Sequence, residues 1–479
     1  MHERLPVRLK PRPAMARFFV KHRVAVLRKS RPLTAVIVIL LALAWIVLPL
    51  RAQAQQMRFI RDAEVEHTIR AYATPMFGAA GLDPSAIDVY LVNDNTLNAF
   101  VAGGMNLFLH TGLLRAASGP MQVMGVIAHE AGHIAGGHLA SRRKELESTV
   151  PAMIASTLLG LAAGVVTGRG DVGIAVARAG QGAAITNLLS YTRSQEGSAD
   201  QAAVTYMNQA GYSPEGLLAF MEVLEGQEVL LTNNQDPYLR THPLTGDRIE
   251  FLRRAVKESP YTGQDAPTRL RAMHARMVAK LDGFLDAPRK TLRKYEGETT
   301  LAARYARAIA HYREPDLDKA LEILDGLLAE HPDDPYFHEL KGQMLFEHGR
   351  VEQALDSYRR AVELRPGEPL IRLALAEAQL QTNDPKLNGP ALDNVQRVLN
   401  SEGNNAFAWR LAAIAHGRAG NTGMTALSLS EGAMARGDMR TAREQAVRAQ
   451  KLLEEHSPAW LRAQDIQREA ERRLKKREG

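Results

Sequence analysis

A chain of 479 residues is too long for one ordinary hydrophobic core, and its 45% hydrophobic and 24% charged residues are typical of a folded protein. Residues 1–51 hold 11 of the 60 basic residues and a single acidic one, so the rest of the chain has a net charge of −3. The overall charge of +7 therefore belongs to the N-terminal segment, and we expect no nucleic-acid partner.

The N-terminal segment has the organisation of an export signal. A basic stretch ends near Arg31, an uncharged apolar run spans Leu33 to Leu48, and Ala52-Gln53-Ala54 follows as a cleavage tripeptide. We predict a signal peptide over residues 1–54, with Met15 as an alternative start. The apolar run is slightly short of the roughly 20 residues that span a bilayer, and an uncleaved anchor is the alternative.

The next segments predict a mixed α+β domain. Glu64 to Gly81 has the pattern of an amphipathic helix, and Ala86 to Val92 has the β-branched and aromatic content of a strand. The segment Asn98 to Gly104 leads into a second short strand, Met105 to His110. Apolar residues at helical spacing then predict a helix from about Met121 to Arg143.

Residues Val150 to Gly168 carry no charge and raise the question of a membrane span. A second crossing within Val172 to Tyr191 would have to carry Arg178 and Gln181 through the hydrocarbon core, which is costly. We therefore expect a mobile apolar flap or a buried helix, with a membrane hairpin as the alternative.

Beyond Pro260 the chain is continuously helical in character and repeats itself. The pattern that starts at Ala320-Leu321 recurs at Ala354-Leu355, a shift of 34 residues, and a third copy starts at Ala391-Leu392. A 34-residue helix-turn-helix unit with prolines at its end is typical of tetratricopeptide repeats. The alternative is a plain helical bundle.

A metal-binding pattern lies inside the helix predicted from about Met121 to Arg143. His129-Glu130-x-x-His133 puts two imidazoles on one face of a helix, about one turn apart, where both can bind one zinc ion. Glu130 lies next to the first histidine, and its carboxylate can take a proton from an attacking water molecule. The pattern is weak by itself and needs a third ligand.

The third ligand is predicted to be Glu196, in a helical segment in which Asp200 shares its face. Asp200 can accept a hydrogen bond from His129 and fix the tautomer of that ligand. The competing metzincin pattern requires a histidine at position 139, which is Leu139. His138 comes one place early, and we interpret it as a surface or packing histidine.

In combination these segments resemble the glutamate-zincin peptidases, the family that includes the CAAX prenyl protease and the HtpX membrane protease, and above all its periplasmic members that carry tetratricopeptide repeats. The resemblance covers nearly the whole chain after the leader. The matching segments are His129 to His133, Glu196 with Asp200, Asn98 to Gly104, Thr241-His242-Pro243 and Arg248.

The resemblance implies roles for further residues. His242 would be able to occupy the fourth zinc position and hold the enzyme idle, and the alternative is a plain turn histidine. Arg248 would stabilise the oxyanion of the reaction, unless it only pairs with Asp247 or Glu250. An edge strand would receive an extended substrate through main-chain hydrogen bonds, and its contact residues would be Met105, Asn106, Leu107 and Phe108.

The sequence thus predicts a mainly helical zincin metallopeptidase domain with a small sheet, followed by an all-α repeat domain. The predicted boundaries are 1–54 for the signal peptide, 55–259 for the peptidase, 260–299 for a helical connector and 300–479 for the repeats. The alternatives from other classes are a repeat chaperone or scaffold with a closed metal site and a membrane-embedded protease.

By resemblance, the chain would be a periplasmic endopeptidase with one Zn²⁺ per subunit. It would degrade misassembled outer-membrane β-barrel proteins and assist their assembly. Its partners would be unfolded or stalled outer-membrane proteins, and the barrel-assembly machinery bound through the groove of the repeats. Peripheral contact with the membrane would be compatible with the apolar segment after Val150.

Overall fold

The computed structural model describes residues 57–167, 170–230 and 241–478. The predicted signal peptide, the alternative start at Met15 and the apolar run from Leu33 lie outside these residues. From Met57 onward the chain forms one compact unit. We call the part from Phe59 to Lys294 the N-terminal domain and the helices from Leu301 onward the repeat domain.

A four-stranded sheet opens the N-terminal domain. Its strands are β1 (Phe59–Ile60), β2 (Asp88–Val92), β3 (Ala99–Ala102) and β4 (Asn106–His110). They are arranged in the order β1-β2-β4-β3, with β2 and β4 parallel and the other neighbours antiparallel. The α+β class predicted from the sequence is confirmed. A short 3₁₀ turn, Pro84–Ala86, leads into β2.

The prediction that Met105 to His110 forms an edge strand is wrong. β4 lies inside the sheet, because the chain reverses at Gly103 and Gly104 and β3 pairs back along the outer side of β4. The edge on this side of the described sheet is therefore β3, Ala99–Ala102.

Three helices pack on the sheet: α1 (Ala63–Ala79), α2 (Thr111–Ala116) and α3 (Pro120–Ala135). The helix predicted from about Met121 to Arg143 is in fact broken. It ends at Ala135, and Gly137 has a φ of +61°, a left-handed conformation that favours glycine. A new helix begins at His138, so the residues after the break do not continue the face of α3.

Two long helices follow, α4 (His138–Thr167) and α5 (Gly170–Gln209). They pack against each other, and described apolar side chains face solvent on both, with Leu158 60% exposed and Ile174 57% exposed. The buried helix is therefore not observed, and the mobile apolar flap stays a prediction. Within the described residues, no helix is both long enough and apolar enough to cross a membrane.

The N-terminal domain is completed by four helices: α6 (Glu215–Leu230), α7 (Gly246–Glu258), α8 (Thr268–Leu285) and α9 (Pro288–Lys294). The last two occupy the predicted connector. However, Leu270, Met277 and Leu281 of α8 belong to the same hydrophobic core as the sheet and α3. The segment after Pro260 is thus an integral layer of this domain.

The repeat domain consists of paired helices. Ala320, Ala354 and Ala391, the residues that define the repeat in the sequence, are all fully buried where paired helices meet. The predicted helical repeats are confirmed. The helices are α10 (Leu301–Arg313), α11 (Leu317–Glu330), α12 (Pro335–Glu347), α13 (Val351–Leu364), α14 (Pro369–Gln381), α15 (Asn388–Ser401), α16 (Ala406–Arg418), α17 (Thr422–Ala435), α18 (Met439–Leu452) and α19 (Pro458–Glu478).

A network of buried charges joins the two domains. Glu64 of α1 accepts a hydrogen bond of 2.8 Å from the Tyr305 hydroxyl and lies 2.6 Å from an Arg276 nitrogen. Arg276 also binds Asp334 of the repeats, and Lys280 lies 3.6 Å from Glu339. Because these groups are removed from water, each charge depends on its partners across the boundary.

Candidate metal centre

Close approach of two helices builds the centre. α3 carries His129 and His133, and both side chains are buried. α5 crosses α3 next to Gly132. A Cβ atom at Gly132 would lie 3.1 Å from the Ala199 Cα, tighter than an ordinary contact. The absence of a side chain therefore allows α5 to bring Glu196 onto the face of α3 that carries the two histidines.

Four side chains converge on one point. His129, His133, Glu196 and His242 are all buried, and each offers a ligand atom within 4.8 Å of the others. His129 Nε2 lies 3.1 Å from His133 Nε2, 3.4 Å from His242 Nδ1 and 3.3 Å from a Glu196 oxygen. His242 Nδ1 lies 3.1 Å from that same Glu196 oxygen.

These distances fit a tetrahedral metal. Ligands bonded to zinc at 2.0–2.1 Å lie about 3.3 Å apart along the edges of a tetrahedron. The measured separations of 3.1–3.5 Å match that edge. Three nitrogens and a carboxylate oxygen are also a donor set that zinc prefers. The described residues can therefore hold a divalent metal, with His242 as the fourth ligand.

Glu130 lies beside these four side chains but is not one of the candidate ligands. Its carboxylate is completely buried, and neither oxygen has a hydrogen-bond partner among the described residues. His242 Nε2 lies 3.5 Å from one of these oxygens. Burial raises the pKa of Glu130. A fully buried carboxylate next to a group of converging metal-ligand side chains is typical of a catalytic base.

The two histidines of α3 have opposite pKa shifts. Burial lowers the pKa of His129, but contacts with Asp200 and Glu196 outweigh burial and raise it to about 9. Burial, and then the charge of His129, lower the pKa of His133 to about 2, so this imidazole is neutral and keeps its lone pair. Burial opposes ionisation of Glu196, but His242 and His129 outweigh it and hold the pKa of this carboxyl below its usual value.

A second layer holds the ligands in place. Asp200 lies one turn after Glu196 and 2.9 Å from Nδ1 of His129, as the sequence predicted. Arg248 donates to both oxygens of Asp200 at 2.6 and 2.9 Å and lies 3.2 Å from Glu196. These contacts favour a positioning role for Arg248, rather than the predicted contact with an oxyanion or pairing with Asp247.

His138, which we interpreted as a surface or packing histidine, is half-buried beside His133 and is not one of the converging ligands. Its Nδ1 lies 2.9 Å from Nδ1 of His133, the ring nitrogen that does not face the cluster, and its Nε2 lies 3.1 Å from the Ser198 hydroxyl. The metzincin position, Leu139, does not contribute a ligand and lines the adjacent cavity. The helix break at Gly137 turns His138 back toward the centre, and no spacing rule for one continuous helix predicts this.

A cavity of about 160 Å³ opens onto the cluster, between Glu130 and the edge strand β3. Phe100 and Val101 of that strand line it. The predicted substrate-contact residues do not: Met105 lies in the turn after β3, and Asn106, Leu107 and Phe108 lie on the internal strand β4. The edge strand beside the cavity is therefore Ala99–Ala102.

Residues 60–256 match the family described as peptidase family M48. Residues 290–335, 305–369 and 339–395 match the tetratricopeptide repeat. The chain carries an M48 peptidase domain followed by tetratricopeptide repeats. The M48 match ends within α7 and does not include α8, the helix that completes the core of the N-terminal domain.

The chain is similar to several proteases over much of its length. The beta-barrel assembly-enhancing protease of Yersinia pestis is 27% identical over 335 residues, which are 68% of this chain and 66% of that protein. The protein of the same name from Escherichia coli (strain K12) is 24% identical over 395 residues, 78% of this chain and 76% of that protein. The mitochondrial metalloendopeptidase OMA1 of Schizosaccharomyces pombe is 24% identical over 184 residues, 38% of this chain and 51% of that protein.

Proposed function

We propose that this chain is a zinc-dependent endopeptidase in which His129, His133 and Glu196 hold the metal and Glu130 is the catalytic base. The observation that carries the proposal is the fully buried Glu130 carboxylate, without a hydrogen-bond partner among the described residues, beside four converging ligand atoms. Zinc bound by these residues would act as a Lewis acid on the substrate carbonyl and lower the pKa of water.

Three further side chains have roles in the proposed reaction. A Glu130 oxygen takes a proton from the attacking water and delivers it to the amine that leaves when the peptide bond breaks. Asp200 accepts a hydrogen bond from Nδ1 of His129 and fixes the tautomer that presents Nε2 to the metal. Arg248 balances the charge of Asp200 and Glu196 and orients both carboxylates.

The proposal is tested by Glu130→Gln. The amide cannot serve as a base, so hydrolysis of an unfolded model protein should fall by about a hundredfold or more. The zinc content of the purified protein should stay at one per chain. Glu222→Gln, which changes an exposed carboxylate on α6, is the matched control. Activity of Glu130→Gln within about tenfold of the parent would remove Glu130 from this role.

His242 supports a closed state of the same centre. Its Nδ1 occupies the fourth ligand position while its Nε2 lies 3.5 Å from Glu130. One side chain therefore fills the place that water needs and faces the base that would activate it. We include in the proposal that movement of the loop around His242 switches the peptidase on.

Replacing His242 with alanine tests the switch. We expect His242→Ala to raise proteolysis and self-cleavage, because the fourth position opens while three protein ligands remain. Thr245→Ala is the control in the same loop, since the Thr245 side chain makes no capping bond to α7. Unchanged or reduced activity in a folded, zinc-loaded His242→Ala protein would reject the switch.

The substrates and location follow from similarity to the beta-barrel assembly-enhancing proteases. We propose a periplasmic enzyme that degrades unfolded or stalled outer-membrane β-barrel proteins and assists their assembly, with the repeats binding the assembly machinery. Part of the repeat surface already contacts the N-terminal domain, because Arg276 binds Asp334 and Lys280 lies 3.6 Å from Glu339. A cavity of about 470 Å³ lies beside this contact. A partner would therefore bind elsewhere on the repeats or displace this contact.

The substrate proposal is tested by quantifying outer-membrane proteins in cells. Cells with Glu130→Gln should accumulate incompletely assembled β-barrel proteins that cells with the parent chain remove. A folded chaperone with a closed metal site predicts equal levels in both. Equal levels would therefore favour the chaperone or scaffold alternative.

A further inference from the structure

One aromatic side chain from each strand lies on the outer face of the sheet. Phe59 of β1, Tyr90 of β2, Phe108 of β4 and Phe100 of β3 form a row that we call the aromatic row. The ring centroids are 5.7 Å apart for Phe59 and Tyr90, 5.0 Å for Tyr90 and Phe108, and 4.9 Å for Phe108 and Phe100. The last two pairs are stacked.

The register of the sheet produces this row. Tyr90 pairs directly with Phe108, and Phe108 pairs with Phe100. Neighbouring residues along the strands, such as Leu91 and Leu107, point the other way into the hydrophobic core. The aromatic row is thus the face of the sheet that the core does not use.

Part of the row is open to solvent. Phe59 is 51% exposed and Tyr90 is 36% exposed, while Phe100 and Phe108 are half-buried. Isolated exposed apolar residues are common, but a contiguous row of stacked aromatic rings on a polar protein surface marks a binding surface. Aromatic rings are also the side chains that contribute most to recognition of apolar groups.

The row is continuous with the active-site cavity. Phe100 stands at one end of the row and lines the cavity beside Glu130 and His242. Adjacent strands are about 4.8 Å apart, so the row extends roughly 15 Å from the edge strand across the sheet. Phe100 therefore belongs to both the cavity and the row, and it joins them at the edge of the sheet.

We propose that the aromatic row binds apolar and aromatic side chains of an unfolded polypeptide whose neighbouring segment lies in the cavity. This inference rests on the proposed peptidase function and specifies its substrate class. The preferred chains carry aromatic or aliphatic residues beyond the cut site. Because an extended residue spans about 3.3 Å, about five residues beyond the cavity are needed to reach Phe59.

The test compares two substrates with the same cut sequence. One is a peptide of about six residues, and the other is an unfolded polypeptide of about 25 residues with alternating aromatic side chains. The double substitution Phe59→Ser and Tyr90→Ser should reduce the preference for the long substrate, measured as the ratio of the two kcat/KM values, by about tenfold. The loss should appear mainly as a higher KM for the long substrate.

Two control variants show whether the effect comes from the aromatic rings of Phe59 and Tyr90. Phe59→Tyr with Tyr90→Phe keeps both aromatic rings and should retain the preference. Leu461→Ser removes an apolar side chain that is 46% exposed in the repeat domain, far from the row in sequence, and should leave both substrates unaffected. Zinc content and thermal unfolding of each full-length variant show whether the fold is intact.

Binding separates this inference from the proposed function. The dissociation constant of the labelled long polypeptide for the full chain with Glu130→Gln is measured by fluorescence anisotropy, with and without the two serine substitutions. A parent chain that cuts neither substrate contradicts the proposed function. An unchanged preference and dissociation constant in the serine variant overturn the aromatic row. A change of oligomeric state in that variant would instead identify the row as a contact between copies of the chain, and would also overturn the proposal.

Discussion

His138 shows how a single residue outside the zinc-binding pattern can support the centre. When His133 binds a metal through Nε2, its Nδ1 carries the proton and donates a hydrogen bond to Nδ1 of His138, 2.9 Å away. The proton of His138 then lies on Nε2, which faces the Ser198 hydroxyl at 3.1 Å. This chain of bonds fixes the tautomer and the ring orientation of one metal ligand.

We therefore predict that His138→Leu lowers the zinc affinity about ten- to a hundredfold, because outer-shell partners of metal ligands have effects of this size. His138→Asn should retain most of the affinity, since its Oδ1 can accept the same hydrogen bond. Competition with a chelator measures both. His456→Leu, at an exposed histidine of the repeat domain, is the control. An affinity of His138→Leu within about twofold of the parent would contradict the role.

The residues of the centre differ in how far the sequence could predict them. A spacing of four within one helix placed His129 and His133 together, and the same rule related Glu196 to Asp200. These relations are local and need no knowledge of tertiary structure. The positions of His138 and Arg248 depend on a helix break and on a neighbouring helix, so only the fold revealed their contacts.

At the scale of elements, helices and strands were largely predictable but their neighbours were not. The β-branched and aromatic residues of Asp88–Val92 predicted a strand because strand preference is local. The order of strands depends on long-range pairing, and no local pattern predicts that β3 lies outside β4. For the same reason, the 34-residue period predicted the repeat helices but not their contact with the N-terminal domain.

That contact brings two acids together. Glu368, just before α14, faces Glu66 of α1, and burial followed by the charge of Glu66 raises the pKa of Glu368 to about 7. The same carboxyl titrates near 4.5 in an unfolded chain. The folded state therefore favours the protonated form, and its stabilising effect is lost as the pH rises from about 4.5 through 7.

Glu368→Gln should remove this dependence. We expect the midpoint of thermal unfolding to rise by roughly 1–2 °C at pH 8 and to stay unchanged at pH 5, because the amide mimics the neutral acid. Scanning calorimetry of the full chain at both pH values measures the effect. Glu363→Gln, at an exposed residue of α13, is the control. A larger gain at pH 5 than at pH 8 would contradict the sign.

At the scale of the whole molecule, the boundary predicted at Ser259 divides a core that the structure shows as continuous. α8 follows that boundary, yet Leu270, Met277 and Leu281 complete the core of the N-terminal domain. The same helix carries Arg276 and Lys280, which bind acids of the repeats. One helix thus belongs to the peptidase core on one face and to the domain contact on the other.

Truncations at two positions test this arrangement. A chain of residues 55–259 should fail to fold, because it lacks the apolar residues of α8. A chain of residues 55–299 should fold and bind zinc but unfold at a lower urea concentration than the full chain, since Arg276 and Lys280 lose their partners Asp334 and Glu339. Circular dichroism and zinc content measure both. A folded, zinc-loaded fragment 55–259 would show that α8 is dispensable and would restore the boundary predicted from the sequence.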